Sequence, residues 1–334
     1  MYAEVRLFST EMKVLHADFL HISTKMSNIA VPIIEKRFSN IQNQQHKKLK
    51  PMLRIAIQAK GRLNEDTMAL LADAGIDVAQ SKRKLVARAT GFPIEVLYLR
   101  DDDIPQAVHM GVADVGIVGL NEVAERQMAV DEVMRLGFGA CRISLAIPRT
   151  VDYPGLEWFN GRTVATSYPN VLRNYFAEQG IEADIHEIAG SVEIAPAVGM
   201  ADAIFDIVSS GGTLVQNGLV EVEKVFHSEA ALVAHQGLDN EKLAEIEKLK
   251  FRFGSIVNSR GYKYVLMNIP TSLVDEAVKI LPAMRSPTIL PLAADGWCSL
   301  HVVIAENVLW EKVELLKQLG AEGILVLNLE NMIP

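Results

Sequence analysis

The sequence predicts an α/β protein with a small βαββαβ module at its C-terminal end. Two observations predict this. From Leu53 onward, short apolar runs of strand length alternate with amphipathic stretches of helical spacing, the alternation that builds sheets covered by helices. After about residue 250 the order becomes strand, helix, two strands, helix, strand. A chain of 334 residues is long enough for two or three cores. The net charge of −8, with basic residues scattered, argues against general nucleic-acid binding. No apolar run approaches a membrane span. Cys141 and Cys298 lie far apart and fit no CxxC pattern, which points to a reducing, cytoplasmic compartment. The eight histidines show no zinc-ligand spacing.

Residues 1–51 are unlike the rest, with two short apolar patches, a Gln/Asn stretch and a basic cluster at Lys47, Lys48 and Lys50. They read as a poorly ordered extension, or else as a basic arm for anionic partners. The first core strand is expected at 53–57. It leads into Lys60, Gly61 and Arg62, and a helix follows from about Glu65 to Ala74, stopped by Gly75. The two cations either hold phosphates at the strand's carboxyl edge or are ordinary loop charges. A second strand over 94–100 ends in Arg100. Asp101, Asp102 and Asp103 follow, with Asp103 read as a helix N-cap and Pro105 in the first turn. A buried strand is expected within 111–119, its glycines marking close backbone approach, and Asn121 and Glu122 open the next helix.

The strand over 139–148 is expected to cross into a second lobe. Another strand ends in Thr166, Ser167 and Tyr168 before a helix over 170–179, so its hydroxyls either face an anion or cap and pack. A helix is expected within 193–200, broken at or starting from Pro196. Residues 203–208 then read as a short central strand of a parallel sheet, apolar except for Asp206. Ser209, Ser210, Gly211, Gly212 and Thr213 follow, and a helix begins near Thr213. Glycines let backbone N–H groups turn toward an anion, and the helix start adds positive potential. A carboxylate three residues upstream suits sugar hydroxyls beside a phosphate. Spacing alone leaves a second reading open, a strand-turn-helix corner with a solvated Asp. Further on come an amphipathic helix over 240–257 and the terminal module, whose order suggests a ferredoxin-like domain.

Glu193 to Pro196, then Gly199, Ala201, Asp202, Asp206, Ser210, Gly211, Thr213 and Leu214, resemble the signature of ATP phosphoribosyltransferase, the enzyme that opens histidine biosynthesis. The segments 100–105, 165–169 and 287–291 extend the resemblance, which covers about 53–332. The glycine-spaced run over 111–119 is similar to the ligand edge of two-lobed periplasmic-binding-protein folds. The resemblance implies a catalytic lobe I over 52–146 and 217–250, a lobe II over 147–216 and a C-terminal regulatory domain over 251–334. It implies ATP and phosphoribosyl pyrophosphate (PRPP) as substrates, with Mg²⁺ on the diphosphate. Residues 209–213 would hold the 5′-phosphate and Asp206 the ribose hydroxyls, while Lys60, Arg62 and Arg100 meet the polyphosphates. Thr166, Ser167, Tyr168 and Glu193 would line the cleft. Histidine would inhibit from a site near Met267 and Thr288, between subunits of a homo-oligomer that shifts from dimer to hexamer.

Overall fold

The computed structural model describes residues 52–79, 85–281 and 286–333, so the expected extension over 1–51 lies outside the described residues. Strand β1 (Leu53–Gln58) buries Leu53, Ile55, Ala56 and Ile57 completely. Both of its faces are covered, as its continuous apolar sequence requires. Helix α1 (Arg62–Asp73) lays Leu70 and Leu71 on the sheet. It is followed by β2 (Asp77–Val78), β3 (Val86–Thr90) and β4 (Ile94–Leu99). The turn between β3 and β4 passes so close to the end of α1 that a Cβ on Gly91 would stand 2.1 Å from the Gly75 carbonyl oxygen. With φ at +82° as well, only glycine fits there.

A 3₁₀ turn over Asp101–Asp103 leads into α2 (Ile104–His109), then β5 (Val115–Gly119), α3 (Leu120–Arg126) and β6 (Asp131–Arg135). Asp103 occupies the N-cap position of α2, yet its side chain makes no capping bond, because the acidic triplet is itself wound into the 3₁₀ turn. The expected close approach is real at Gly116, where a Cβ would meet Ile104 at 2.7 Å and Val108 at 2.9 Å.

The chain then enters a second sheet with β7 (Cys141–Pro148), β8 (Thr163–Thr166), α4 (Pro169–Gln179), β9 (Asp184–Glu187), β10 (Ala203–Val208), α5 (Gly212–Gln216) and β11 (Leu219–Ser228). It returns as β12 (Ala230–Ala234). The first sheet runs β2-β3-β4-β1-β5-β12-β6 and the second β11-β7-β10-β8-β9. Both are mixed. In the second, β10 is central, as expected, and parallel to β8 but antiparallel to β7, so the parallel sheet expected around 203–208 is corrected to a mixed one. The second sheet takes in β7 and β11, and is therefore wider than the lobe II expected over 147–216. The helix expected within 193–200 is only a 3₁₀ turn, Val192–Ile194, entered through Ser191 at φ +52°.

Helix α6 (Asn240–Ser259) is capped by the Asp239 carboxylate, which accepts from the Lys242 amide at 2.8 Å. Its Ile246, Leu249, Phe253 and Ile256 sit in the core of the first lobe, past the boundary expected at residue 250. The terminal module follows as β13 (Tyr262–Pro270), α7 (Val274–Ile280), β14 (Thr288–Pro291), β15 (Trp297–Ala305), α8 (Glu306–Leu319) and β16 (Glu322–Asn328). Its strand order, β14-β15-β13-β16 with every neighbour antiparallel, is the ferredoxin-like arrangement. The two helices and the inner sheet face share one core, and the tail is tied back to α6 by the Met332 amide on the Ser255 carbonyl at 2.8 Å.

Candidate active site

The carboxyl ends of β10 and β8 meet in the second lobe. Because Phe205 lies opposite Thr166 in this parallel pair, Ser167 falls beside Asp206, and its hydroxyl donates to Asp206 Oδ1 at 3.1 Å. The Ile207 amide donates to the same oxygen at 2.8 Å. Burial pushes the Asp206 carboxyl up, against these two hydrogen bonds, and nearby Glu193 pushes the same way. Asp206, Glu193, Ser209, Ser210, Gly211 and Thr213 line one pocket of about 170 Å³. Gly211 adopts φ +79°, the left-handed conformation that turns the loop over. Among the described residues, the backbone amides of Ser210, Gly211 and Thr213 have no hydrogen-bond partner, while the Gly212 amide reaches only Ser210 Oγ at 3.5 Å. Three unpartnered amides beside a carboxylate have the geometry of an anion cradle. Helix α5 has five residues, so its dipole contributes less than a long helix would, and the loop amides are the main donors on offer.

Two of the four expected cleft residues are corrected. Thr166 is fully buried, and its hydroxyl oxygen accepts from the Tyr168 amide at 2.8 Å. Tyr168 is buried as well, and its hydroxyl donates to Glu122 Oε1 at 2.9 Å and accepts from Asn121 Nδ2 at 3.1 Å. Tyr168 therefore ties the two lobes together and Thr166 braces the turn that carries it, while Ser167 lies against Asp206 and Glu193 lines the loop pocket. The lobe contact continues where the Glu125 carboxylate accepts from the amides of Asn170 and Val171, each at 3.0 Å, and so caps α4. Burial pushes the carboxyls of Glu122 and Glu125 up, and burial followed by the Glu122 charge pushes the Tyr168 phenol well up. Asp101 and Asp102 act electrostatically on Glu122, and Asp206 acts on Tyr168. The contact thus links the carboxyl edges of the two sheets.

The first lobe brings Lys60, Arg62 and Arg100 to one edge. Gln58 pairs with Leu99 in the parallel register of β1 and β4, so the loops after these strands emerge together. Lys60 and Arg62 are exposed and have no ion-pair partner among the described residues. Arg100 is already matched, because its Nε and Nη2 donate to the Asp102 carboxylate at 3.1 and 3.2 Å, and Asp102 also accepts from Arg126. Gln58 was not singled out in the sequence. Its Nε2 donates to Asp101 at 3.2 Å, while its Oε1 is buried with no partner among the described residues, an open acceptor beside the Lys60 loop.

In the terminal module, Met267 is corrected as a ligand contact. It is fully buried and lies opposite Leu300 on the helix side of the sheet. Thr288 pairs with His301 on the other, open side, so the two residues cannot line one site. The open side also carries Tyr264, whose hydroxyl bonds His301 Nδ1 at 2.7 Å.

The sequence matches the family HisG, ATP phosphoribosyltransferase, over residues 100–255, and the HisG C-terminal domain over 259–331. It is 55% identical over 282 residues to ATP phosphoribosyltransferase of Bacteroides thetaiotaomicron, covering 84% of this chain and 100% of that protein. It is 57% identical over 282 residues to the Parabacteroides distasonis protein of the same name, with the same coverage. Among solved structures it resembles the ATP phosphoribosyl transferase (HisG:HisZ) complex from Thermotoga maritima, with a TM-score of 0.55 and 26% identity over 62% of this chain and 99% of that one. The chain belongs to the ATP phosphoribosyltransferase family, in the long form that carries its own C-terminal domain.

Proposed function

We propose that the chain transfers the phosphoribosyl group of PRPP to N1 of ATP, the first step of L-histidine biosynthesis. The N1 lone pair forms a bond to C1 of the ribose as the bond from C1 to the diphosphate oxygen breaks, and the diphosphate leaves with that electron pair. The observation that carries this reading is the 209–213 loop, whose unpartnered amides sit beside Asp206 in one pocket. The loop amides hold the 5′-phosphate and fix the distance to C1. Asp206, with one carboxylate oxygen engaged by Ser167 and Ile207, keeps the other for the ribose hydroxyls. Lys60 and Arg62 meet the polyphosphates, and positioning together with charge stabilisation supplies the rate.

Among the described residues, no cluster of three or more His, Cys, Asp or Glu side chains forms a metal cage. Asp206 and Glu193, which line the loop pocket, would be the nearest carboxylates to an ion carried in on the diphosphate. Mg²⁺, when bound, neutralises charge on the leaving diphosphate. Two cysteines without disulfide partners accord with a cytoplasmic setting. Mixing the full chain with ATP, PRPP and Mg²⁺ should give phosphoribosyl-ATP and diphosphate in equal amounts. Consumption of PRPP without an ATP adduct would overturn the reading.

The C-terminal module binds histidine on its open sheet face near Thr288, between neighbouring subunits of a homo-oligomer that shifts from dimers toward a hexamer. What supports this is a domain separate from the loop and a sheet face left uncovered within the chain, with Leu290 49% and Leu327 49% exposed. Equilibrium dialysis of histidine against the full chain tests it, and a module serving assembly alone would bind none.

A further inference from the structure

Arg142, on β7, lies opposite Val208 at the end of β10. Its Nη1 donates to the carbonyl oxygen of Ser209 at 2.9 Å, the first residue of the anion loop. The same guanidinium grips Glu221 of β11 in a two-pronged pair, with Nη2 to Oε2 at 2.6 Å and Nε to Oε1. Ser144 Oγ donates to Glu221 Oε1 at 2.7 Å. The side chains of Arg142 and Glu221 are only 22% and 19% exposed, so the pair is held in a partly dry site. Arg142 is not among the residues lining the pocket.

We infer that Arg142 is a positioning residue for phosphate binding, acting through the peptide between Ser209 and Ser210. This rests on the PRPP reading of the loop. A trans peptide is planar, so its N–H points opposite to its C=O. Tying the Ser209 carbonyl to the guanidinium on the β7 side turns the Ser210 N–H away from β7. Without that tie, the carbonyl is free to rotate toward the phosphate, where an oxygen dipole would repel it. Glu221 and Ser144 hold the guanidinium at the correct angle, and Arg suits this role because its planar fork serves a carboxylate and a carbonyl together. A lysine in its place offers a point charge without the planar fork.

The test measures PRPP binding by calorimetry, together with steady-state kinetics, on the full chain. Arg142→Met should weaken PRPP binding, and raise KM for PRPP, by about tenfold or more, the loss expected for a charged hydrogen bond. KM for ATP should stay within about twofold of the unaltered value. Arg142→Lys should fall between the two. Arg142→Met strands the Glu221 charge and lowers stability, so the deciding variant is the double Arg142→Met with Glu221→Met, which removes the whole pair. Its melting temperature should recover while its PRPP affinity stays weak. A double variant that binds PRPP as tightly as the unaltered chain would overturn the inference, since the pair would then serve stability alone. Failure of the unaltered chain to bind PRPP would overturn the PRPP reading of the loop, and this inference with it.

Discussion

Glu122 and Glu221 are both withdrawn from water, yet their acidities move in opposite directions. Glu122, at the contact between the lobes, is 8% exposed and surrounded by neutral donors, and burial raises its pKa. Glu221, under the anion loop, is gripped by Arg142, and that bond lowers its pKa. The difference is one of both depth and partner, since Glu122 is the more deeply buried and lacks a guanidinium against it. A carboxylate matched by a guanidinium stays charged and makes a fixed brace. A carboxylate matched by a phenol and an amide makes a contact that changes with protonation. A fixed brace suits a loop proposed to present its amides to a phosphate.

The sharpest way to break this comparison is to show that the braced loop binds no anion. Gly211→Asp places a charge beside the phosphate, and about 4 kcal/mol of repulsion at 4 Å corresponds to a loss of PRPP affinity of roughly a thousandfold. Unchanged affinity in a folded variant would leave the brace without a purpose. Asp206→Asn is the next largest effect. It should cost about 1.5–3 kcal/mol in transition-state binding, read from kcat/KM, the worth of a charge-assisted hydrogen bond. Near-normal kinetics would return Asp206 to a structural role.

The two glutamates are separated by pH. Because the folded-state pKa of Glu122 is raised, its contribution to stability is present below about pH 4.3 and is lost as pH rises through the raised value. The folded-state pKa of Glu221 is lowered, so its contribution is present above about pH 4.3 and is lost as pH falls through the lowered value. As pH rises from about 3 to 7, Glu122→Gln should therefore gain melting temperature relative to the unaltered chain, and Glu221→Gln should lose it. Slopes of the same sign would erase the contrast. The smallest effect belongs to deletion of residues 1–51. Among the described residues the first core strand begins at Leu53, so the melting temperature should move by no more than about 2 °C and activity should persist. A truncated chain that failed to assemble would give the extension a role.

Much of the site was legible because its parts are consecutive. Asp206, the turn at Gly211 and the hydroxyls around it fall within eight residues, and local backbone chemistry is enough to read them. What stayed hidden depends on contacts distant in sequence. Arg142 and Glu221 are 79 residues apart, and Tyr168 and Glu122 are 46 apart, so nothing local announces either pair. At Tyr168 the sequence leaves a cleft hydroxyl and a packed one equally open, and only the packing of α3 against α4 decides for the second. Met267 misled for a different reason. β13 is apolar at Val265, Leu266 and Met267 in succession, and only its register against Leu300 decides which side faces the helices. Strands β2, β3 and β6 went unread because Asp77, Arg88, Asp131, Glu132 and Arg135 mask their alternation.

The central claim is that the 209–213 loop of the second lobe receives the phosphate of PRPP. Amide hydrogen exchange, followed by mass spectrometry on the full chain with and without PRPP, tests it most directly. The peptide containing Ser210, Gly211, Gly212 and Thr213 should be strongly protected on binding, since those amides pass from no protein partner, or a weak one, to a bound anion. Tight binding of PRPP with exchange in that peptide unchanged, and protection appearing elsewhere, would contradict it.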